Sequence, residues 1–425
     1  MVNTITADTL LHGIGYFTFL YPVTMSIIWV IGGLYFWWYR ERKARTNNWP
    51  EVWPPVTILI PCHNEEISIA TTCHALSKVN YPDLRVVFID DASTDNTAQI
   101  IREWLRQEVP SFHLLRLTTN QGKAKALNCG LQVAVHTPIT VVIDADTLIT
   151  PDTLKWLIAP FIRQPRLGAV SGNPLVGNRE NLLENLQTAE FASILGLIKR
   201  SQRSLGRMLT VSGCITAFCT DTLRQLGGFS SRSATEDIDI TWAIQRNFYE
   251  VWFEPRAIAY IQVPKTIKEF WHQRCRWALG GWHLLRSHWD IFTHWRWRRL
   301  WPVYLDFVIS YLWSFCLVIG TLLWLVTYLI PSKPAIGLTP IPAWYGSVIS
   351  FVCLVQFGAA LLANHRHDHK MYQSFFWIPW YPIFFFCIGA LTVVWTSCRG
   401  LFGDLVTVGK WKSPARSSMQ GSLDE

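Results

Sequence analysis

Val56-Thr57-Ile58-Leu59-Ile60, closed almost at once by the polar Cys62-His63-Asn64-Glu65, is the stretch that decides the fold. A short, continuous, β-branched run that stops in polar residues reads as a strand buried on both faces, which belongs in a sheet covered by helices. The same design recurs: Val86 to Ile89 ends in Asp90-Asp91, and Thr140 to Ile143 ends in Asp144-Ala145-Asp146. Helical patterns such as Asn96 to Arg106 fill the intervals. The stretch from about Pro55 to Pro264 is therefore expected to be an α/β domain on a parallel sheet. Open sheets of this kind bind ligands beyond the carboxyl ends of their strands, where all three polar clusters lie.

On either side of this domain the chain becomes apolar. Half of the 425 residues are hydrophobic, concentrated near the start and after about residue 300. Tyr16 to Trp38 carries no charge and is long enough to cross a bilayer. No Lys or Arg precedes Arg40, so the segment is expected to be retained rather than cleaved as a signal peptide. Arg40, Arg42, Lys43 and Arg45 follow it, which predicts an outer N-terminus and a cytoplasmic domain in a multi-pass protein of a bacterial inner (plasma) membrane. Phe307 to Ile330, Tyr345 to Ala363 and Phe375 to Trp395 are three further expected crossings. Three crossings would leave Arg399, Lys410, Lys412 and Arg416 outside, against the charge rule, whereas Pro379 and Pro382 suit a kinked or re-entrant hairpin. The expected division is an N-terminal helix with basic flank (1–46), the α/β domain (47–268), an interfacial amphipathic region (269–305), C-terminal spans (306–398) and a basic tail (399–425).

Charge and cysteine narrow the partners. Against 38 Lys and Arg stand 30 Asp and Glu, a net +8 that beside membrane segments suits lipid headgroups or a polyanionic substrate better than nucleic acid. The ten cysteines show no metal-type spacing, and Cys316, Cys353 and Cys387 fall in apolar runs, so neither a disulfide framework nor a zinc site is expected.

Several polar clusters can carry chemistry, and each also has a plain structural reading. Asp144 and Asp146 flank one small residue, a pair that can hold a divalent cation against a diphosphate, or merely cap a turn. The acids from Asp90 to Asp95 open a helix by N-capping, and one remains to accept the imide N–H of a uracil. Lys123, in Gly122-Lys123-Ala124-Lys125-Ala126-Leu127-Asn128, begins a helix where ammonium and dipole favour phosphate; as a plain residue it is a solvated lysine. Thr235-Glu236-Asp237 reads as a helix start with a Thr cap and dipole-matching acids, or with Asp237 as a general base. Gln273, Arg276 and Trp277 share one helix face, so Arg276 can reach a diphosphate and Trp277 can stack on a sugar. Trp289, Trp295, Trp297 and Trp301 read as a membrane-interface belt.

The acid after the second strand, D-x-D (Asp144, Asp146), T-E-D (Asp237) and Q-x-x-R-W (Gln273 to Trp277), in that order between apolar segments, resemble the processive family 2 glycosyltransferases. Within that family the likeness is greatest to the bacterial branch that makes poly-β-1,6-N-acetylglucosamine, a biofilm polysaccharide. It runs through Ile58 to Glu66, Leu195 to Arg200, Thr235 to Ile240 and Ser26 to Gly33. The resemblance implies a GT-A-like, Rossmann-type nucleotide-sugar domain inserted between transmembrane helices. It implies uracil contact at Asp91, diphosphate contact at Lys123, cation and diphosphate contact at Asp144 and Asp146, and an inverting base at Asp237. Gln273, Arg276 and Trp277 would hold donor diphosphate and acceptor. Also implied are Mg2+ or Mn2+, UDP-N-acetylglucosamine, a growing polysaccharide passed across the bilayer, and a small membrane subunit. Ala92 stands where many relatives carry Gly, so the turn there is expected to need no positive φ. Some relatives also have an additional N-terminal helix. Competing readings are a cellulose-, chitin- or hyaluronan-type synthase, a non-processive transferase acting on polyprenyl phosphate, and an inactive membrane scaffold.

Overall fold

A computed structural model describes residues 2–42, 49–106, 111–329, 344–380, 384 and 386–403; Lys43, Arg45, Pro382, Lys410, Lys412 and Arg416 lie outside the described residues. Eight strands form one sheet: β1 (Val56–Cys62), β2 (Leu84–Asp90), β3 (Phe112–Arg116), β4 (Ile139–Ile143), β5 (Leu148–Ile149), β6 (Leu167–Val176), β7 (Ile215–Cys219) and β8 (Glu250–Ile261). Their order across the sheet is β3-β2-β1-β4-β7-β6-β8-β5. The first four strands by sequence pair in parallel, with Ile58 opposite Val86 on one side and Val141 on the other.

β1 is buried along its whole length because both faces of the sheet are covered. Its side chains alternate: Ile58 and Ile60 pack with Ile69, Ile101 and Leu157 on one face, while Leu59 packs with Leu127, Leu131 and Ile240 on the other. Each fully buried aliphatic side chain of this kind contributes about 2 kcal/mol of transfer free energy. The wholly parallel sheet expected from sequence is not found. β7 runs antiparallel to both β4 and β6, and β5 to β8, so the sheet is mixed. A strand buried on both faces reads the same in either direction, and β7 arrives after a long helical excursion (Leu182–Leu205) rather than one crossover helix.

The turn after β2 also departs from expectation, since Ala92 has φ +56°. Ser93 N–H donates to Asp90 Oδ1 (2.9 Å) and Asp91 N–H to the Cys62 carbonyl (2.8 Å), and these bonds fix the backbone on either side of Ala92. Downstream, Asp95 Oδ1 accepts from the Thr97 amide (3.0 Å) and hydroxyl (2.6 Å), consistent with the expected helix start.

Among the described residues three helices are long and apolar enough to cross a membrane: His12–Glu41, Trp295–Val326 and Gly346–Asn364. The last expected crossing, Phe375 to Trp395, is not one helix. A 3-10 run, His369–Trp380, gives way to a separate helix, Cys387–Phe402, of 16 residues. Met371 and Ile378 from the 3-10 run pack with Leu183, Leu186 and Phe270 of the domain, and Ser374 Oγ donates to Asn185 Oδ1 (3.2 Å). Part of this stretch therefore packs on protein, while Phe376 and Trp380 remain exposed, a distinction that hydropathy alone does not make.

Buried polar pairs tie the sheet domain to the apolar helices. Arg200, fully buried, donates to Glu41 (2.5 Å) and Asn364 (2.9 Å); Arg179 pairs with Asp368; Gln356 Nε2 donates to Ser193 Oγ (2.7 Å). The helix Ile267–Ser287 continues this seam. Arg274 forms a bidentate pair with Glu190 at 2.8 and 2.5 Å, and Tyr311 of the helix Trp301–Tyr328 donates to the Ala278 carbonyl (2.8 Å).

Candidate active site

Polar residues follow the carboxyl ends of β1, β2 and β4, and among them Asp91 organises the loop that leads to Lys123. The Asp91 carboxylate is fully buried, and its oxygens accept the backbone N–H groups of Gln121 and Gly122, each at 2.8 Å. Those two amides precede the helix Lys123–Val133, so the acid after β2 sets where Lys123 begins. His63 braces the same corner, with Nδ1 2.8 Å from the Asp91 carbonyl and Nε2 3.0 Å from Asn120 Nδ2.

Lys123 is the hub. Its Nζ lies 2.7 Å from Asp144 Oδ1, 3.0 Å from Glu236 Oε1 and 3.3 Å from the Gly213 carbonyl. Burial favours the neutral amine, but Asp144 and Glu236 outweigh it, so the ammonium is held above the ordinary lysine range. The D-x-D turn is pinned by Thr72 Oγ1 donating to the Ala145 carbonyl (2.7 Å) and by Thr147 N–H donating to the Asp144 carbonyl (3.0 Å). Asp144 is partly exposed to the pocket and Asp146 is buried.

Asp237 stands in the first turn of the helix Glu236–Arg246. Thr235 does not cap this helix through its side chain as expected; it packs against Gly280, where a Cβ would lie 2.2 Å from Thr235 Oγ1. The T-E-D turn is thus seated on the helix that carries Gln273 to Trp277. Burial, then the Glu236 carboxylate, push the Asp237 carboxyl up to about 6, against the opposing pull of Lys123 and Arg276. A carboxyl at that value is ionised at neutral pH yet basic enough to take a proton.

Of the Q-x-x-R-W residues, Arg276 is exposed and acts electrostatically on both Glu236 and Asp237. Trp277 is half-buried, its ring 6.4 Å from that of Phe191, with the Arg274 guanidinium 4.3 Å from its centroid. The Gln273 Oε1 atom is buried with no hydrogen-bond partner among the described residues. Lys123 and Asp237 line one small pocket with Ser212, Gly213 and Glu236; Asp144 adjoins it through its ion pair with Lys123, and Arg276 acts on it from the flanking helix. Asp91 and Trp277 lie behind the rim and on the flanking helix.

Two participants were missed by sequence reasoning. Glu236 looked like a dipole-matching acid and is the second counter-ion of Lys123. Lys199 is buried beside the pocket, with Nζ 2.6 Å from Ser212 Oγ and 3.1 Å from Ser171 Oγ. Its signal was a Lys-Arg pair inside an apolar helical run, since such charges are buried only when partnered. No group of three or more His, Cys, Asp or Glu side chains able to hold a metal occurs among the described residues. The donor set at Asp144 and Asp146 nevertheless fits a hard cation of the Mg2+ type, which takes one or two carboxylates and completes its shell with phosphate oxygens and water.

Known proteins match this architecture over nearly its whole length. The profile of the family described as "Glycosyltransferase like family 2" matches residues 54–280, from the strand that opens the sheet through the helix bearing Gln273 to Trp277. A poly-beta-1,6-N-acetyl-D-glucosamine synthase of Staphylococcus epidermidis is 32% identical over 410 residues, covering 95% of this chain and 98% of the relative. The synthase of the same name from Staphylococcus aureus (strain COL) is 32% identical over 419 residues, covering 95% and 99%. Among solved structures, the mannosyltransferase PcManGT of Pyrobaculum calidifontis, in complex with GDP-Man and Mn2+, superposes with a TM-score of 0.54 at 21% identity, covering 91% of this chain and 99% of that one; it shares the fold. With acids gathered around a half-buried lysine at its strand ends and 95% of its length aligned with such synthases, the chain belongs to glycosyltransferase family 2, and the protein is a glycosyltransferase.

Proposed function

We propose that this glycosyltransferase is a processive, inverting hexosyltransferase. It would polymerise N-acetylglucosamine from UDP-N-acetylglucosamine into a β-1,6-linked polysaccharide and pass the chain across the membrane. The observation that carries the reading is Lys123 paired with both Asp144 and Glu236 beside Asp237, in a chain whose near-full-length relatives bear that synthase name.

Asp237 takes the proton from the acceptor hydroxyl as its oxygen attacks the anomeric carbon, and single displacement inverts that carbon. The bond to the nucleoside diphosphate breaks on the opposite side. Lys123 and Arg276 offset the charge gathering on the departing diphosphate, Lys123 exchanging a carboxylate for phosphate when donor enters. Asp144 and Asp146 would hold Mg2+ or Mn2+, which supplies Lewis-acid stabilisation of the leaving group when bound. Asp91 clamps the loop before Lys123 and is fully buried there, so its assigned contact with a uracil imide requires that loop to shift when donor enters. Gln273 offers its orphan acceptor and Trp277 its ring face to the acceptor sugar.

In this reading the sheet domain, residues 47–268, is cytoplasmic, and residues 269–305 lie at the inner interface of a bacterial plasma membrane. The N-terminus is outside, the apolar helices within 306–398 cross the bilayer or pack beneath it, and a small membrane subunit joins them. The test is purified protein in liposomes, supplied with several UDP-sugars and Mg2+, its product digested with linkage-specific hydrolases. Polymer made only from UDP-N-acetylglucosamine and cleaved by a β-1,6-specific hydrolase is expected. Single sugars on a lipid carrier, or a polymer that resists that hydrolase, would overturn the reading.

A further inference from the structure

Lys199 and Arg200 are consecutive buried cations at the start of the helix Lys199–Leu205, just after a π-helical turn (Ala192–Ile198). They face opposite ways. Arg200 turns toward the apolar helices and has Glu41 as counter-ion. Lys199 turns toward the sheet, is only 2% exposed, and finds two hydroxyls, Ser212 Oγ at 2.6 Å and Ser171 Oγ at 3.1 Å. Among the described residues no carboxylate pairs with it directly, and Asp237 is the one that acts on it across the pocket wall. A buried charge without a paired counter-ion is costly, and burial pulls this ammonium down to about 8. Such an arrangement calls for a return elsewhere.

The strip that Lys199 grips is the pocket wall. Ser212 is held on three sides: its hydroxyl accepts a hydrogen bond from Lys199 Nζ and donates to the Gly172 carbonyl (3.3 Å), and its amide donates to Ser171 Oγ (2.9 Å). The next residue, Gly213, gives its carbonyl to Lys123 Nζ at 3.3 Å. It also lies so close to Asp237 that a Cβ on it would sit 3.0 Å from Oδ2. One two-residue strip thus separates Lys199 from the two groups on which the transfer depends.

We propose that Lys199 is a positioning residue for glycosyl transfer: through Ser212 it fixes the Ser212-Gly213 wall against which Lys123 and Asp237 are set. Across that wall Lys199 and Asp237 also attract one another, which favours the ionised form of each. The proposal rests on the reading of Asp237 as the base. The charged groups that act most strongly on Asp237 are Glu236 on its own helix, Lys123 on the helix Lys123–Val133 and Arg276 on the helix Ile267–Ser287; Lys199, behind the wall, is coupled to it more weakly. Cys214 lies between Lys199 and Asp144 as a further titratable neighbour. Only Glu236 opposes ionisation of Asp237 among the four charges, so removing one cation moves its titration upward.

The experiment measures kcat and donor KM as functions of pH for the full-length protein in liposomes and for Lys199→Met, Lys199→Arg, Ser212→Ala and Asp237→Asn. Lys199→Met is expected to lower kcat by about tenfold with donor KM changed less than about threefold, and to raise the acid limb of the profile by about one unit. Lys199→Arg keeps the limb and recovers part of kcat. Ser212→Ala, which removes the grip and leaves the charge, lowers kcat and leaves the limb in place. A limb unmoved in Lys199→Met, or wild-type kcat in Ser212→Ala, overturns the proposal, and the second result decides even where Lys199→Met does not fold. A limb that survives in Asp237→Asn removes the base assignment and this proposal with it. A limb lost in Asp237→Asn but unmoved in Lys199→Met removes this proposal alone.

Discussion

Gly280→Ala would put one methyl group where the structure has no room. The new Cβ would lie 2.2 Å from Thr235 Oγ1, 2.5 Å from its Cγ2 and 2.8 Å from its Cβ. Carbon atoms in contact sit about 3.5 to 4.0 Å apart, so the T-E-D turn and the helix Ile267–Ser287 must separate by roughly 1 Å. Thr235 is buried and two residues from Asp237, so the displacement passes to the carboxylate rather than into solvent. Misplacing a reacting group by about 1 Å costs on the order of 100-fold in rate, and the overpacking itself about 1 to 3 kcal/mol of stability. Alanine is the better helix former by about 1 kcal/mol, so the predicted loss runs against the intrinsic preference of the helix. The assay is the initial rate of sugar incorporation from UDP-N-acetylglucosamine by protein in liposomes, with UDP binding measured separately to establish that the pocket has formed. A steric cause also predicts rescue: Thr235→Gly removes all three clashing atoms, and the Gly280→Ala/Thr235→Gly pair should recover about 1 to 2 kcal/mol relative to additivity. Full kcat in Gly280→Ala, or a double variant no better than additive, would refute the proposed seating of the T-E-D turn.

The pH profile of the wild-type protein should fall about tenfold per unit on the acid side of a midpoint near 6, because a carboxyl raised to about 6 is protonated, and useless as a base, below that value. Asp237→Asn should abolish transfer while UDP still binds. Burial lifts Glu190 to about 7 in spite of Arg274, so Arg274→Met should cost about 3 kcal/mol, the lower end for a broken buried pair because Glu190 can then take up a proton. The Glu190→Leu/Arg274→Met double variant should lie within about 1 kcal/mol of wild type, measured as the half-life of thermal inactivation. Ala92→Gly should stabilise the domain by up to about 1 kcal/mol, since a left-handed alanine costs about 1 to 2 kcal/mol and glycine returns part of that as lost chain entropy; a lower melting temperature would count against it. Chelation of divalent cations should stop transfer and added Mg2+ or Mn2+ restore it, with tighter UDP binding in the presence of metal lost in Asp144→Asn/Asp146→Asn.

The strands beside the pocket were legible because they are short, doubly buried and end in acids. Val56, Val86 and Thr140 fall inside β1, β2 and β4, and the polar clusters do sit at the strand ends. Lys123 was legible as a helix start, and Asp237 as a first-turn acid, from local signals within a few residues of each. What escaped depends on partners distant in sequence. Nothing around Glu236 announces that it will meet Lys123, and nothing around Lys199 announces Ser171 or Ser212. The direction of β7 leaves no trace in Ile215 to Cys219, because pairing is decided by the neighbours. Phe375 to Trp395 read as a crossing or, because of Pro379 and Pro382, as a kinked hairpin, since hydropathy registers that Ile378 and its neighbours are apolar, not that Ile378 rests on Leu183 and Phe270. Ala92 was read through the steric preference of alanine, which the hydrogen bonds of Asp90 and Asp91 override.

The two adjacent glycines of the helix Ile267–Ser287 carry an implication for modularity. Gly280 abuts Thr235 of the sheet domain, while a Cβ on Gly281 would run into the Tyr311 hydroxyl of the helix Trp301–Tyr328. Neighbouring positions on one helix thus seat the acid-bearing turn and an apolar span that are otherwise remote along the polypeptide. A fragment severed after residue 268 could retain all eight strands and yet lose the surface against which that turn is pressed. On the roles proposed above, excising residues 47–268 would leave Asp237 misaligned while the residues assigned to the nucleotide stay in place, and activity assays belong on the intact protein.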